Sequence, residues 1–205
     1  MNYKLLFITS LLLTVGCSQE PINIETLVER DGVFYTKDTN EPYSGSVFSL
    51  DKNGRNKLES ILEDGKMISY KNLEWWDDGQ KRYEVIWKDG KKDGLSTFWY
   101  ENGQKRYEKT YKDGLQDGLE TWWYENGQKR SEGTYKDGKL DGLWTGWYEN
   151  GQKRSEGTYK DGKLDGLFTL WYENGQKETE VTYEDGEEIS EKNWRLDGSV
   201  IERTR

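Results

Sequence analysis

The chain has 205 residues, a formal net charge of -9, no histidine and one cysteine. With hydrophobic residues at only 32%, a thick two-layer core is excluded; with aromatics at 14%, including 10 Trp and 14 Tyr, so is a disordered acidic chain. The composition fits a thin sheet whose apolar surface comes from a few large rings.

In chain order the first element is an export signal. Met1 to Lys4 is a short positive start, Leu5 to Leu13 is a nearly unbroken apolar run, and Thr14-Val15-Gly16-Cys17 closes it. About nine apolar residues are too few for a bilayer span, which takes roughly twenty. A small residue directly before a cysteine resembles a bacterial lipobox, although Thr14 stands where Leu, Val or Ile is usual. The resemblance implies cleavage before Cys17 and lipidation of that residue, hence a membrane anchor on the extracytoplasmic side of the cell envelope. Ser18 implies sorting to the outer membrane in a didermal host. Burying acyl chains contributes about 0.8 kcal/mol per CH₂, so two or three chains hold a protein to a leaflet. An acylated Cys17 leaves no free thiol.

Residues 18–30 read as a tether and residues 31–50 as an N-terminal cap. Residues 51–192 are periodic, in about six 24-residue units, and residues 193–205 read as a C-terminal cap. Asn-Gly recurs at Asn102, Asn126, Asn150 and Asn174, and Asp-Gly recurs in step at Asp89, Asp113, Asp137, Asp161 and Asp185. Gly118 to Asp141 and Gly142 to Asp165 differ only at Glu120/Trp144 and Trp122/Gly146. Self-similarity of this kind marks a repeat array.

Each unit reads as two strands, for example Leu143 to Glu149 and Gln152 to Lys160 around Asn150-Gly151. Asn-Gly between Trp-, Tyr- and Thr-rich runs is a strong hairpin signal, and a type I′ turn is expected there because it needs positive φ at both central residues. That turn sets a trial register with Gly142 facing Tyr159, Trp144 facing Gly157, Trp147 facing Arg154 and Tyr148 facing Lys153. One side then carries Leu143, Thr145 and Trp147 with Arg154; the other carries Trp144, Gly146 and Tyr148 with Lys153. A ring opposite glycine has room to lie flat over backbone. The expected fold is all-β: an elongated single-layer antiparallel sheet of tandem hairpins behind an N-terminal signal helix.

The recurring Trp-Tyr-x-Asn-Gly-x-Lys and Tyr-x-Asp-Gly-x-x-Asp-Gly resemble the bacterial variant of the MORN repeat over about residues 45 to 190. Arg30 to Tyr35 and Glu41 to Gly45 resemble the leading segment of exported, antitoxin-like members (the YwqK type). The resemblance implies an antiparallel β array and an interaction role.

The chemistry points the same way. Without histidine, and with Cys17 in the anchor, Ser/His and Cys/His nucleophile pairs and His-based metal sites are excluded. The repeated Asp-Gly pairs are expected as turns, since catalysis needs one differentiated pocket. No catalytic residue, metal site or cofactor is expected. Residues 142–165 hold four basic and four acidic side chains, while Glu173 to Glu191 has eight acids and one Lys. Such a surface is a poor ligand for nucleic acid, which needs clustered Lys and Arg.

Two sets of aromatics remain. Trp75, Trp99, Trp123, Trp147 and Trp171 keep their place in every unit and are expected to be structural. Phe98, Trp122, Trp144, Phe168 and Leu170, with Gly146, occupy positions that vary between units on the opposite face. They are the expected binding surface for a protein partner; the alternative is that the constant tryptophan row stacks the sugar rings of cell-wall glycan or docks a protein.

Overall fold

The computed structural model describes residues 20–201; Cys17 and the apolar run expected as a signal helix lie outside the described residues. The N-terminal part comprises β1 (Ile22–Asn23), a 3₁₀ turn (Ile24–Thr26), β2 (Val28–Arg30), β3 (Val33–Tyr35), β4 (Gly45–Leu50) and β5 (Asn56–Glu63). Next come β6 (Lys66–Trp75), β7 (Lys81–Lys88), β8 (Lys91–Trp99), β9 (Lys105–Lys112), β10 (Leu115–Trp123) and β11 (Lys129–Lys136). The chain continues through β12 (Lys139–Trp147), β13 (Lys153–Lys160), β14 (Lys163–Trp171), β15 (Lys177–Glu184), β16 (Glu187–Trp194) and β17 (Val200–Ile201).

All strands except β2 and β3 join one 15-stranded sheet, in which β4 to β17 follow chain order. Every pairing in it is antiparallel except that of β1 with β4. The hairpin array is therefore a meander, and each unit touches mainly its neighbours. Strands roughly 4.8 Å apart give a step of roughly 10 Å per hairpin.

Three expectations need correction. Residues 22–30, expected as tether, form β1, the 3₁₀ turn and β2, and Leu27 is buried with Val47 and Leu62 beneath Phe34, Tyr43 and Met67. The segment lacks the repeat period, and its aliphatic spacing is too short to show as a pattern. The hairpin array runs past residues 51–192: seven hairpins pair in the described residues, because β4–β5 and β16–β17, whose outer strands lie in the segments expected as caps, repeat the motif in degenerate form.

The third correction concerns the turns. The type I′ geometry expected at Asn-Gly belongs to Asp-Gly: Asp161 and Gly162 have φ of 51° and 85°, and Asp89, Asp113, Asp137 and Asp185 repeat this. At Asn150-Gly151 the glycine alone has positive φ (84°). Gly151 N–H donates to Tyr148 O and Tyr148 N–H to Gln152 O, both at 2.9 Å, as in a type I turn closed by a bulge. Asn150 Oδ1 accepts the Gln152 amide at 2.9 Å, which secures the asparagine in that turn without the left-handed conformation. The trial register therefore holds from Gly142/Tyr159 to Trp144/Gly157 and shifts after Gly146/Ser155, so that Trp147 pairs with Lys153 and not Arg154. Lys153 and Arg154 exchange faces as a result.

Candidate interaction surfaces

The shifted register puts one lysine per unit on the tryptophan face. There Lys105 and Lys129 bond Glu108 and Glu132 at 2.6 and 2.5 Å, and Lys153 and Lys177 make the same bond to Glu156 and Glu180. Each lysine also lies over the next unit's tryptophan: Lys81 over Trp99, Lys105 over Trp123, Lys129 over Trp147 and Lys153 over Trp171, at 5.5 to 5.9 Å from the ring centroid. Arg55 takes the place of lysine over Trp75 at 5.7 Å. The glutamates accept from Thr97, Thr121 and Thr145 at 3.2 to 3.4 Å, and those threonines are only 4 to 6% exposed. The constant tryptophans are half-buried and sit in a ladder that binds unit to unit.

The turns add to that ladder. Tyr100, Tyr124, Tyr148 and Tyr172 each donate a hydroxyl to the carbonyl of the next unit's tryptophan, at 2.7 to 3.0 Å. Asn102, Asn126 and Asn150 each donate a side-chain N–H to the glutamate carbonyl of the next turn. At the other edge, Asp161 N–H reaches Asp141 Oδ2 at 3.3 Å and Gly162 N–H reaches Leu140 O at 2.8 Å. The Asp-Gly pairs thus act as turns stacked on the preceding unit.

On the opposite face the register brings together all five variable residues. Phe98 pairs with Tyr107, Tyr107 with Trp122, Trp144 with Gly157 and Gly133, Phe168 with Gly157, and Leu170 with Ser155. All five are half-buried. Tyr83, Phe98, Tyr107 and Trp122 form a continuous file of rings with centroids 5.3, 4.4 and 4.6 Å apart. Beside it Glu120 is bound to Lys109 at 2.9 Å, to Gln116 Nε2 at 2.7 Å and to Trp122 Nε1 at 2.7 Å. Burial on this face pushes the Tyr107, Tyr135 and Tyr159 hydroxyls up from their ordinary pKa.

The file stops at Ser131 and Gly146, and Trp144 fills the gap. A Cβ on Gly146 would come within 3.0 Å of the far end of the Trp144 ring, and one on Gly133 within 2.7 Å of Trp144 Cδ1. The two substitutions between otherwise identical units are therefore coupled. In one unit the indole projects from 122 beside Glu120; in the next it projects from 144 and lies over Gly146. Phe168 lies over Gly157 in the same way, with 2.5 Å from its Cδ2 to a Cβ there.

One row was missed by reasoning from residue types. Leu95, Leu119, Leu143 and Leu167 are 44 to 55% exposed on the tryptophan face, each opposite a threonine. The signal was the fixed Asp-Gly-Leu at 24-residue spacing, which alternation places beside the buried threonines.

The molecule is thus a tandem hairpin-repeat protein that offers two long, chemically distinct faces. Residues 92–113, 116–137, 140–161 and 164–185 each match the MORN repeat variant family, one hairpin per match, each closing at the Asp of an Asp-Gly turn. No curated protein matches the chain.

Proposed function

We propose that this chain is a non-catalytic, bacterial, lipid-anchored envelope protein that binds a protein partner through its variable face. The observation that carries the reading is that Phe98, Trp122, Trp144, Phe168 and Leu170 change from unit to unit on a constant frame and share one side of the sheet. Positions that a repeat holds constant serve the frame, as the Lys–Glu–Thr–Trp ladder does; positions free to vary serve recognition. Apolar surface of this extent, with polar edges, is the usual mark of an interaction site. The resemblance of Cys17 and its preceding residues to a lipobox supports the anchor.

The partner class follows from how the rings lie. Sugar recognition needs open ring faces, whereas Tyr83, Phe98, Tyr107 and Trp122 stack on one another and the constant tryptophans are covered by lysines. That favours docking of a protein over stacking of a cell-wall glycan. A dedicated partner that is bound and blocked, as in an antitoxin or immunity role, is the narrower version of this reading.

The test replaces Trp122, Trp144 and Phe168 together by Ala in the full chain. Capture of the partner from native envelope extract is expected to be lost while the β-sheet circular dichroism stays. Melting of the sheet would make the three rings part of the frame and remove the proposed surface. Binding of the unaltered chain to purified cell wall would favour the glycan instead. For the anchor, Cys17→Ala is expected to move the protein from the membrane to the soluble extracytoplasmic fraction.

A further inference from the structure

We propose that the leucine row on the tryptophan face is a contact between two copies of this chain. It is separate from the variable face, so both surfaces can be engaged at once.

Leu95, Leu119, Leu143 and Leu167 recur two strands apart, which places them roughly 10 Å from one another along a row roughly 30 Å long. Each is about half exposed, between 44 and 55%, while the threonines beside them at 97, 121, 145 and 169 are 4 to 6% exposed. A monomer gains nothing by holding four leucines in water at a position that four successive units keep constant.

The charges on either side select the occupant. Strands β9, β11 and β13 each present Glu, Thr and Lys on this face: Glu108, Thr110 and Lys112; Glu132, Thr134 and Lys136; Glu156, Thr158 and Lys160. The threonine lies opposite the leucine, so the leucine row has a line of glutamates along one flank and a line of exposed lysines along the other. Each glutamate is bonded to Lys105, Lys129 or Lys153 and to a threonine through one carboxylate oxygen, and offers the second oxygen to a further cation. A two-fold axis parallel to the row turns one face onto its copy, with each Leu143 at the level of its counterpart. It lays each glutamate line over the other copy's lysine line. A two-fold parallel to the strands would instead set like charges over like. The favoured arrangement also keeps the strands of the two sheets nearly aligned, the usual way in which sheets pack face to face about 10 Å apart. A self-complementary patch of this kind is what a two-fold interface requires.

The test uses the full chain in detergent. Two single substitutions, Leu143→Cys and, as a control on the other face, Arg130→Cys, are treated with a short bismaleimide. The unaltered chain measures any background from Cys17. The expected result is a cross-linked dimer at Leu143→Cys at least tenfold above both controls. Density-matched sedimentation should give a mass of two chains, halved in Leu119→Asp/Leu143→Asp with circular dichroism retained. A single-chain mass for the unaltered protein, or cross-linking at Arg130→Cys equal to that at Leu143→Cys, would overturn the contact. Should the double Asp variant unfold, the two cysteine variants decide alone. Retention of partner capture by the Trp122/Trp144/Phe168 triple variant with the dimer intact would count against the variable face only, and an unaltered chain that captures its partner as a monomer would count against this contact only.

Discussion

The N-terminal cap and the repeat array belong to one sheet but are held together differently. The cap has an aliphatic cluster in the ordinary sense, with Val47 2%, Leu62 1% and Leu27 8% exposed. In the array, from β8 to β14, the buried side chains are Ser96, Thr97, Thr121, Thr145, Ser155 and Thr169, joined by buried glycines at 133, 146 and 157. A single layer has no second sheet to bury leucine against. It gains its stability from lysine over indole, from the Lys–Glu–Thr ladder and from hydrogen bonds that recur at every step. The cap depends on transfer of apolar surface from water; the array depends on repetition.

The largest effect expected from this difference is in the cap. Leu62→Ala removes the most completely buried large side chain and leaves a cavity, at a cost of about 2–5 kcal/mol. Hydrogen exchange is expected to show residues 22–67 losing protection while residues 92–185 keep theirs. A uniform loss along the chain would mean that cap and array unfold as one unit, and the distinction would fall.

In the array the sensitive positions are glycines. Gly157→Ala puts a methyl 2.5 Å from Phe168 Cδ2 and 3.1 Å from Leu164 Cδ2, neither of which is the free end of a solvated chain. Overpacking of this kind costs about 1–3 kcal/mol, read from urea unfolding. The companion change Gly157→Ala/Phe168→Leu should recover most of the loss. Absence of recovery would show that the backbone at 157, and not the ring above it, sets the cost.

How much of this was legible follows from the same contrast. Period, hairpins and single layer could be read because Asp161-Gly162 and Asn150-Gly151 announce where the chain must reverse. The turn type could not, since it depends on whether Asn150 or Asp161 takes a left-handed φ. That choice is settled by a hydrogen bond from Gln152 that no residue count reveals. One shifted pairing then moved Lys153 onto the tryptophan face. The cap was hidden for the opposite reason: Leu27, Val47 and Leu62 meet through tertiary packing, with no period to expose them. The sharing of one face by Phe98, Trp122, Trp144, Phe168 and Leu170 was readable from strand alternation, whereas the exposure of Leu143 was not, because a constant leucine looks like core in any alternating pattern.

A smaller effect appears at acid pH, at the junction of the two regions. Burial pushes the Glu84 carboxyl up, but its hydrogen bond to Lys81 and the charges of Lys71 and Lys81 outweigh burial and hold it below its ordinary value. A carboxylate depressed in the folded state adds stability above its unfolded pKa, and this contribution is lost as pH falls through the folded value. Glu84→Gln should therefore flatten the acid limb of the stability curve below about pH 4.5, with little further change at lower pH. An acid limb identical to that of the unaltered chain would place the acid-sensitive group elsewhere.

The smallest effect expected concerns the bond that carries one unit to the next. Tyr148→Phe removes a hydroxyl that donates to Trp171 O at 2.7 Å, leaving the ring in place and the carbonyl near solvent. A net cost of about 0.5–1.5 kcal/mol is expected for one such bond. If neighbouring units are coupled through these contacts, Tyr124→Phe and Tyr148→Phe together should cost more than their sum, because each removes one side of the unit between them. Strict additivity would mean that the hydroxyls act singly and that the strand ladder alone transmits stability along the array. The cap offers no counterpart to this experiment, since its contacts do not recur, and that is the sense in which the two regions of one sheet obey different rules.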